Sequence, residues 1–220
     1  IAPTSDGGYI VAGLSGSDDG DATTMQGFVD GWVVKLDATG TFVWQRSAGG
    51  TTIDLLLAVV ETTGGTWLAA GRTDSNDGDV TGNHGGLDAW TITLSTAGAL
   101  TAQKCFGGTG QDDFRHIAHT LDGNYLAVGS STSNDGDVSG NNGGADVWVV
   151  KLDGTGTILW QRSLGGSSTD NGMWALPTAD GGYIVAATTS SSDGDVSANN
   201  GSSDFWLLKL DAAGDLQWEQ

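Results

Sequence analysis

The chain has 220 residues, with 27 acidic and 8 basic side chains and a formal net charge of −19 at pH 7. This charge excludes nucleic acid as a partner, because phosphate contacts need Lys and Arg. No apolar run approaches the roughly 20 residues of a membrane-spanning helix, so we expect no membrane span. An apolar content of 38% with nine Trp is enough for a core and excludes a disordered chain.

A repeat of 58 residues runs through the chain without insertion or deletion. Three series of residues carry this period: Gly13, Gly71 and Gly129; Trp32, Trp90, Trp148 and Trp206; Asp54, Asp112 and Asp170. The sequence therefore predicts a single repeat domain over residues 1–220 with about 3.8 units, at 1–53, 54–111, 112–169 and 170–220. Since the first and last units are partial, we expect the chain to be a piece of a longer natural protein.

The third unit shows the predicted elements in their clearest form. Two β-prone runs, 112–121 and 124–130, flank Asp122-Gly123, and a long loop over 133–146 follows. A third run over 147–153 and a fourth over 157–163 are separated by a Gly-Thr-Gly turn. Asp-Gly between two strands predicts a hairpin with a type I′ turn, in which both central residues have positive φ.

Four short antiparallel strands per unit predict an all-β fold. We expect a β-propeller, or a propeller segment, with one four-stranded blade of 58 residues per unit. A right-handed β-solenoid is the alternative, which the hairpins disfavour. The third strand is apolar on both faces at Val147, Trp148 and Val149, so we expect it at the centre of its sheet, between neighbouring blades.

Two further aromatic positions repeat with the same period. They are Trp44, Trp160 and Trp218 in the fourth strand, and Tyr9, Trp67, Tyr125 and Tyr183 in the second. We expect these rings to fill the core between blades, because aromatic side chains bury large areas. A platform that stacks a ligand is the alternative.

The densest group of polar residues lies in the loop between the second and third strands of each unit. Two Asp are separated by one Gly, an Asn follows four residues later, and a third Asp lies five residues beyond. Ca²⁺ prefers about six to eight oxygen ligands, several of them charged, so the pattern predicts a calcium site in each loop. The candidate ligands are Asp19, Asp21 and Asp30; Asp77, Asp79, Asn83 and Asp88; Asp135, Asp137, Asn141 and Asp146; and Asp193, Asp195, Asn199 and Asp204.

The alternative is that Asp-Gly-Asp only turns the chain, with side chains that cap local N–H groups. The third Asp favours calcium because a local turn does not require it, although that Asp could instead bond the backbone at the start of the next strand. The first loop has Met25 at the Asn position, so we expect the weakest site there. Bound calcium would stabilise the fold and neutralise charge rather than take part in catalysis.

Other reactive side chains do not form a repeated site. Cys105 is the single cysteine and stands where other units have Ser, which is typical of a tolerated small residue. His84, His116 and His119 lie at positions that do not repeat. We therefore expect no catalytic residues and no enzyme. An acid pair of the glycoside-hydrolase type stays an alternative, because an Asp-rich chain offers many pairs.

Four stretches of the repeat are characteristic: Asp180–Ala186, Ser133–Asn141, Asp146–Asp153 and Ile158–Gly166. They resemble a bacterial β-propeller repeat family found in long secreted and surface proteins, often with a C-terminal type IX secretion sorting domain. The resemblance covers the whole chain and implies export, an extracellular or cell-surface location, and adhesion or scaffolding. The second unit departs from it, with Thr93, Ser95 and Ala102 where the others have Lys, Asp and Trp.

The patterns predict a non-enzymatic, calcium-stabilised binding or structural module, and the resemblance implies that it belongs to a bacterial cell-surface or secreted protein. The first alternative is a lectin-like propeller that binds carbohydrate. The second is a glycoside hydrolase with an Asp pair in the central channel. As partners we expect further repeats or another chain that completes the ring, and a surface glycan or protein.

Overall fold

A computed structural model describes residues 1–22 and 24–220 of the chain. The described residues form sixteen β-strands and no helix, so none of them belongs to a helix that could cross a membrane. The strands are β1 (Ala2–Pro3), β2 (Tyr9–Ser15), β3 (Asp30–Leu36), β4 (Phe42–Ala48), β5 (Asp54–Glu61), β6 (Trp67–Thr73), β7 (Asp88–Leu94), β8 (Leu100–Phe106), β9 (Asp112–His119), β10 (Tyr125–Ser131), β11 (Asp146–Leu152), β12 (Ile158–Leu164), β13 (Asp170–Pro177), β14 (Tyr183–Thr189), β15 (Asp204–Leu210) and β16 (Leu216–Glu219).

The strands form four sheets, each a meander of four consecutive antiparallel strands. We name them blade 1 (β1–β4), blade 2 (β5–β8), blade 3 (β9–β12) and blade 4 (β13–β16). A four-stranded antiparallel meander repeated along the chain is the blade of a β-propeller. The predicted all-β fold with one blade per unit is therefore confirmed, and the β-solenoid alternative is wrong.

The blades are distributed over two compact units. The first unit, residues 1–83 and 87–106, contains blades 1 and 2. The second unit, residues 84–86 and 107–220, contains blades 3 and 4. Each unit has an apolar core between its two blades.

In the first unit, the core joins Ile10 and Val33 of blade 1 to Trp67, Trp90 and Ile92 of blade 2. All five side chains are buried. Burying a large apolar side chain contributes roughly 1.5–3 kcal/mol, so blade stacking is a main source of stability.

In the second unit, the core joins Leu126 and Val149 of blade 3 to Tyr183, Trp206 and Leu208 of blade 4. Every residue of β11 is buried, and β11 pairs with β10 on one side and β12 on the other. The prediction that the third strand is central and apolar on both faces is therefore confirmed.

The second pair of repeated aromatic positions also packs between blades. The rings of Trp44 and Trp67 lie 6.3 Å apart in the first unit, and those of Trp160 and Tyr183 lie 5.8 Å apart in the second. This confirms the predicted core role for these four rings. Tyr9 occupies the same repeat position as Tyr183, and Trp218 the same position as Trp160. These two rings are nevertheless exposed, Tyr9 by 41% and Trp218 by 46%.

The Asp-Gly hairpins are present, but the predicted type I′ turn is wrong. In blade 3 the N–H of Thr120 donates to Asn124 O and the N–H of Gly123 donates to Thr120 O. Gly123 has φ of 81°, whereas Asp122 is not among the positive-φ residues of the described chain. These two hydrogen bonds, with positive φ at Gly123 alone, are typical of a three-residue loop, which is the next most common hairpin connection.

The repeated Gly of the second strand faces a bulge in the first strand. Leu57 and Arg115 are the extra residues that shift the registers β5–β6 and β9–β10. A Cβ on Gly71 would lie 1.8 Å from Leu55 O, and one on Gly129 would lie 2.0 Å from Asp113 O. The close approach of the bulged backbone explains why these positions are Gly.

Candidate functional site

In the second, third and fourth loops, the first Asp of Asp-Gly-Asp reaches back to the connection that enters its own blade. We name the connections Gly49–Asp54, Gly107–Asp112 and Gly165–Asp170 the junctions. Asp77 accepts hydrogen bonds from the N–H (2.8 Å) and hydroxyl (2.9 Å) of Thr51. Asp135 accepts the same pair from Thr109. These bonds lower the pKa of the Asp135 carboxyl.

The equivalent bond in blade 4 comes from Ser167, whose N–H lies 2.8 Å from Asp193 Oδ1. It lowers the pKa of the Asp193 carboxyl. The first Asp of these three loops therefore caps a backbone N–H that is 26 residues earlier in the chain.

The second Asp of the loop bonds the first Gly of the same junction. The N–H of Asp195 donates to Gly165 O (2.9 Å), and Asp195 Oδ2 accepts from the N–H of Gly165 (3.1 Å). Asp137 makes the same two bonds with Gly107, at 2.8 and 3.3 Å. The Asp-Gly-Asp loop and the Gly-Gly junction are thus joined by paired backbone and side-chain bonds.

In blade 2 the second Asp has different side-chain partners. Its N–H still donates to Gly49 O at 2.8 Å. The carboxylate of Asp79 instead forms an ion pair with Arg46 (2.9 Å) and accepts from Gln26 Nε2 (2.8 Å). Its charge is therefore compensated by a cation from blade 1.

The Asn of the loop fastens the loop to its own blade. The side-chain nitrogens of Asn83, Asn141 and Asn199 donate to the carbonyls of Thr73, Ser131 and Thr189 at 3.4, 2.9 and 3.3 Å. Those carbonyls end the second strand of each blade. The amide oxygens of Asn141 and Asn199 accept from N–H groups two residues on.

The third Asp begins the third strand, and one of its oxygens binds the loop backbone. Asp30 Oδ2 accepts from the N–H of Gln26 (2.8 Å) and Asp146 Oδ2 from the N–H of Asn142 (2.9 Å). Asp204 Oδ2 likewise accepts from the N–H of Asn200. The third Asp of the second loop, Asp88, is fully buried. The third Asp therefore stabilises the strand start, as the turn alternative envisaged.

The other oxygen of two of these residues lacks a hydrogen-bond donor. Asp30 Oδ1 and Asp146 Oδ1 are buried without a hydrogen-bond partner. Burial raises the pKa of the Asp146 carboxyl to about 6, with nearby Asp170 and Asp195 adding to the rise and the Asn142 N–H opposing it. Burial also raises the pKa of Asp30. Leaving a buried polar atom unpaired costs roughly 1–3 kcal/mol, and more when it is charged.

A set of carboxylates at the end of each junction was not predicted as part of the site. Asp112 is buried and accepts from the N–H of Gly108 (2.8 Å), the hydroxyl of Ser133 (2.8 Å) and the hydroxyl of Ser131. Asp54 and Asp170 make the equivalent three contacts. The signal was present in the sequence, because these Asp repeat together with Ser or Thr at two fixed positions of the second strand and loop.

The third Asp and the junction Asp converge on the first Gly of the junction. A Cβ on Gly165 would lie 2.5 Å from Asp170 Oδ2 and 2.9 Å from Asp146 Oδ1. We name Asp146 and Asp170 a junction acid pair. Asp30 and Asp54 form the second such pair, around Gly49, at 2.9 and 2.6 Å.

The carboxylates are thus grouped differently from the sequence prediction. In the third loop, Asp135 and Asp137 contact the junction that enters blade 3, whereas Asp146 lies at the junction that enters blade 4. Among residues 1–22 and 24–220, no three His, Cys, Asp or Glu side chains are arranged to hold a metal ion. In the first loop, Asp19 and Asp21 are exposed to solvent.

One histidine has an unusual environment. The ring of His116 stacks on Trp174 at 3.6 Å between centroids, and its Nδ1 accepts from the N–H of Ala175 at 3.4 Å. Burial lowers the pKa of His116 to about 4. His119, three residues further along β9, is exposed, as expected for the opposite face of a strand.

Known proteins are similar to this chain at a low level of identity. No protein-family model matches it. The regulatory protein FlaEY of Caulobacter vibrioides is 28% identical over 222 residues, covering 90% of this chain and 23% of FlaEY. The chain therefore spans less than a quarter of the curated relative that it matches.

Solved structures with similar features are also distant. The WD40 domain of Pan2 from Neurospora crassa aligns with a TM-score of 0.49 and 14% identity, over 90% of this chain and 50% of that one. BamB from Moraxella catarrhalis aligns with a TM-score of 0.31 and 16% identity, over 86% and 58%. The blade assignment rests on the strand order and pairing described above.

Proposed function

We propose that this chain is a non-enzymatic structural or binding module, used for adhesion or scaffolding in a bacterial secreted or cell-surface protein. The observation that supports this most strongly is that the repeated Asp side chains bond other segments of the same chain. Asp77, Asp135 and Asp193 each bond the junction that enters their own blade. Polar groups that repeat at equivalent positions and hold neighbouring segments together serve a scaffold.

In this proposal a cation neutralises each junction acid pair. Asp146 Oδ1 and Asp30 Oδ1 have no hydrogen-bond donor, and a second carboxylate lies close to each. Like charges that are shielded from water repel strongly, and an unpaired buried charge is costly. Ca²⁺ suits this setting because it prefers carboxylate and carbonyl oxygens. The proposed ligands are therefore Asp146 with Asp170 and Asp30 with Asp54, rather than the residues of one loop.

Calorimetric titration of the EDTA-treated chain with CaCl₂ tests the cation. We expect binding and a higher melting temperature, since ligand at ten times its Kd stabilises by about 1.4 kcal/mol per site. Asp146→Asn should remove one site. Asp135→Asn is the matched control, because Asp135 belongs to the loop but not to an acid pair.

The two groupings differ in the result expected for Asp135→Asn. Loss of a site in Asp135→Asn as well as in Asp146→Asn would restore the single-loop prediction, because that prediction includes both residues. Absence of heat on titration, together with an unchanged melting temperature in EDTA, would show that no cation binds. The location is tested separately, by digesting intact source cells with a protease and following the chain with an antibody.

A carbohydrate-binding propeller is the second candidate, and one exposed ring favours it. Trp174 is 54% exposed and lies flat on His116, which holds it as an aromatic platform. Sugars stack on such platforms through their apolar faces. A glycan array with the chain and with Trp174→Ala tests this candidate, since binding that survives the substitution would not depend on the platform.

The acid pairs fit a glycoside hydrolase less well. Asp146 and Asp170 are both fully buried. The two carboxyl groups of a glycoside hydrolase flank a bound sugar and must be reached by it.

A further inference from the structure

The two junction acid pairs have different electrostatic surroundings. Each pair lies near the second Asp of the Asp-Gly-Asp loop that follows it, which is Asp79 for the first pair and Asp195 for the second. Besides burial and the other carboxylate of the pair, Asp79 raises the pKa of Asp30. Asp195 adds to the rise in the pKa of Asp146 in the same way. A third negative charge therefore acts on both pairs, and the pairs differ in what neutralises it.

At the first pair, an arginine supplies the counter-charge. Arg46 on β4 forms an ion pair with Asp79 Oδ2 at 2.9 Å, and the Asp79 side chain is only 18% exposed. Water and salt screen a partly buried ion pair much less than an exposed one. Arg46 therefore offsets the charge that Asp79 places near Asp30 and Asp54.

At the second pair, the equivalent arginine has other partners. Arg162 on β12 lies two repeats after Arg46. Its Nη2 donates to Asp215 Oδ1 (2.8 Å) and to a carbonyl (2.9 Å) in the turn between β15 and β16. Asp195 Oδ2 accepts from the N–H of Gly165 instead, and Asp195 forms no ion pair with any residue of 1–22 and 24–220. The second pair therefore lacks the counter-charge that the first pair has.

The sequence explains why the two arginines differ. The turn that receives Arg162 ends in Asp215, whereas the same turn of blade 2, residues 95–99, ends in Ala and contains no acidic residue. This turn of blade 2 lies alongside β4, because Trp44 Nε1 donates to one of its carbonyls at 3.2 Å. Arg46 thus has no carboxylate to bind there and pairs with the Asp-Gly-Asp loop. One repeat position decides which partner the arginine takes.

We propose that Arg46 is the built-in counter-ion of the junction acid pair at Gly49, whereas Asp215 holds Arg162 away from the pair at Gly165 and leaves that pair to a divalent cation. This inference rests on the proposed function, because it gives an order to the two cation sites described there. The affinity of a Ca²⁺ site depends on the number of charges around it. The pair at Gly165 therefore binds the cation first and more tightly.

Calorimetric titration of the EDTA-treated chain with CaCl₂ tests the order of the two sites. We expect two binding steps whose Kd values differ by roughly tenfold or more. Asp146→Asn should remove the tighter step, and Asp30→Asn should remove the weaker one. Arg46→Gln removes the counter-ion, so the Kd of the weaker step should fall close to that of the tighter step.

A surface variant tests the second arginine without changing either acid pair. Asp215→Ala frees Arg162 to pair with Asp195, so the Kd of the tighter step should rise roughly tenfold. Adding Arg162→Gln to this variant should restore the wild-type Kd, because no arginine is left to compete with the cation. Asp18→Ala is the matched control, since it also removes one exposed carboxylate but lies outside both junctions.

The outcomes distinguish this inference from the proposed function. Absence of heat in the wild type and in every variant would overturn both. Two equal Kd values in the wild type, or loss of the tighter step in Asp30→Asn, would overturn this inference alone and leave the cation sites in place. An unchanged tighter step in Asp215→Ala would overturn the role of Asp215. Circular dichroism establishes that each variant is folded, and the Asp215 variants test the inference even if Arg46→Gln does not fold.

Discussion

Lys151 Nζ lies 2.6 Å from Asp122 Oδ2 and ties the third strand of blade 3 to the hairpin between its first two strands. Lys35 with Asp6 and Lys209 with Asp180 repeat the contact, each at 3.0 Å. Blade 2 has neither partner, because Gly64 and Thr93 occupy the two positions. The cation and the anion are therefore present or absent together.

A double-mutant cycle at Asp122 and Lys151 should show this dependence. We expect Asp122→Gly and Lys151→Thr to destabilise the chain less in combination than the sum of the single changes, with a coupling of about 0.5–1 kcal/mol. The double variant reproduces the residues of blade 2. Urea unfolding measures each free energy, and additive effects would show that the pair contributes nothing.

The acid side of the stability profile should depend on the same pair. The hydrogen bonds from Lys151 and Thr120 lower the pKa of Asp122 from its ordinary value of 3.8. A lowered folded-state pKa gives stability that is present above pH 3.8 and lost as the pH falls below it. Asp122→Asn should flatten the profile in that range by less than about 1 kcal/mol, because the carboxylate is half exposed.

Protonation of His116 should also weaken the fold, at a higher pH. Burial lowers its pKa from 6.5 to about 4, so the unfolded chain binds the proton first. Stability contributed by neutral His116 is therefore complete above pH 6.5 and is lost as the pH falls towards 4. The loss should be roughly 1–3 kcal/mol in denaturant unfolding at a series of pH values.

His116→Ala should remove this pH dependence, and Ala58 occupies the same position of blade 2. His119→Ala is the control, because His119 is exposed. An unchanged pH profile in His116→Ala would contradict the assignment.

Loss of the junction carboxylate should be among the most damaging single changes. Asp112→Asn replaces a charged acceptor of three hydrogen bonds and places an amide nitrogen at one of its two accepting oxygens. We expect a loss of about 2–4 kcal/mol in free energy of unfolding. Asp18→Asn at an exposed position should change it by less than about 0.5 kcal/mol. Equal effects would refute the structural role of Asp112.

Cys105 should react only when the chain unfolds. Burial, with the charges of Asp88 and Asp54, raises the pKa of its thiol to about 12. Because the thiolate is the reactive form, labelling by a disulfide reagent at pH 8 should be on the order of a thousandfold slower than in urea. Rapid labelling of the native chain would contradict the buried placement.

The sequence predicted the fold well where local patterns decide it. The spacing of Trp148 and its equivalents located the central strands, and Asp-Gly located the hairpins. The turn type could not be read from the dipeptide, because Asp-Gly also suits a three-residue loop in which only Gly has positive φ.

The sequence singled out the Asp residues of the loops, but neither the segments that they contact nor the junction residues Asp54, Asp112 and Asp170. Asp135 and Asp137 follow one another in the loop with Asp146, yet they bond residues 26 to 30 positions earlier while Asp146 lies at the following junction. Contacts between segments so far apart depend on how blades stack, which the order of residues in one loop does not reveal.

The backward reach of the Asp-Gly-Asp loop has a consequence for synthesis. The junction at Gly165 completes its contacts only with Asp195, 30 residues later. During synthesis, each junction therefore lacks these hydrogen bonds until about half of the next blade has been made. If synthesis stops or pauses within that interval, the preceding blade is present, but the junction that follows it lacks its contacts with the next Asp-Gly-Asp loop.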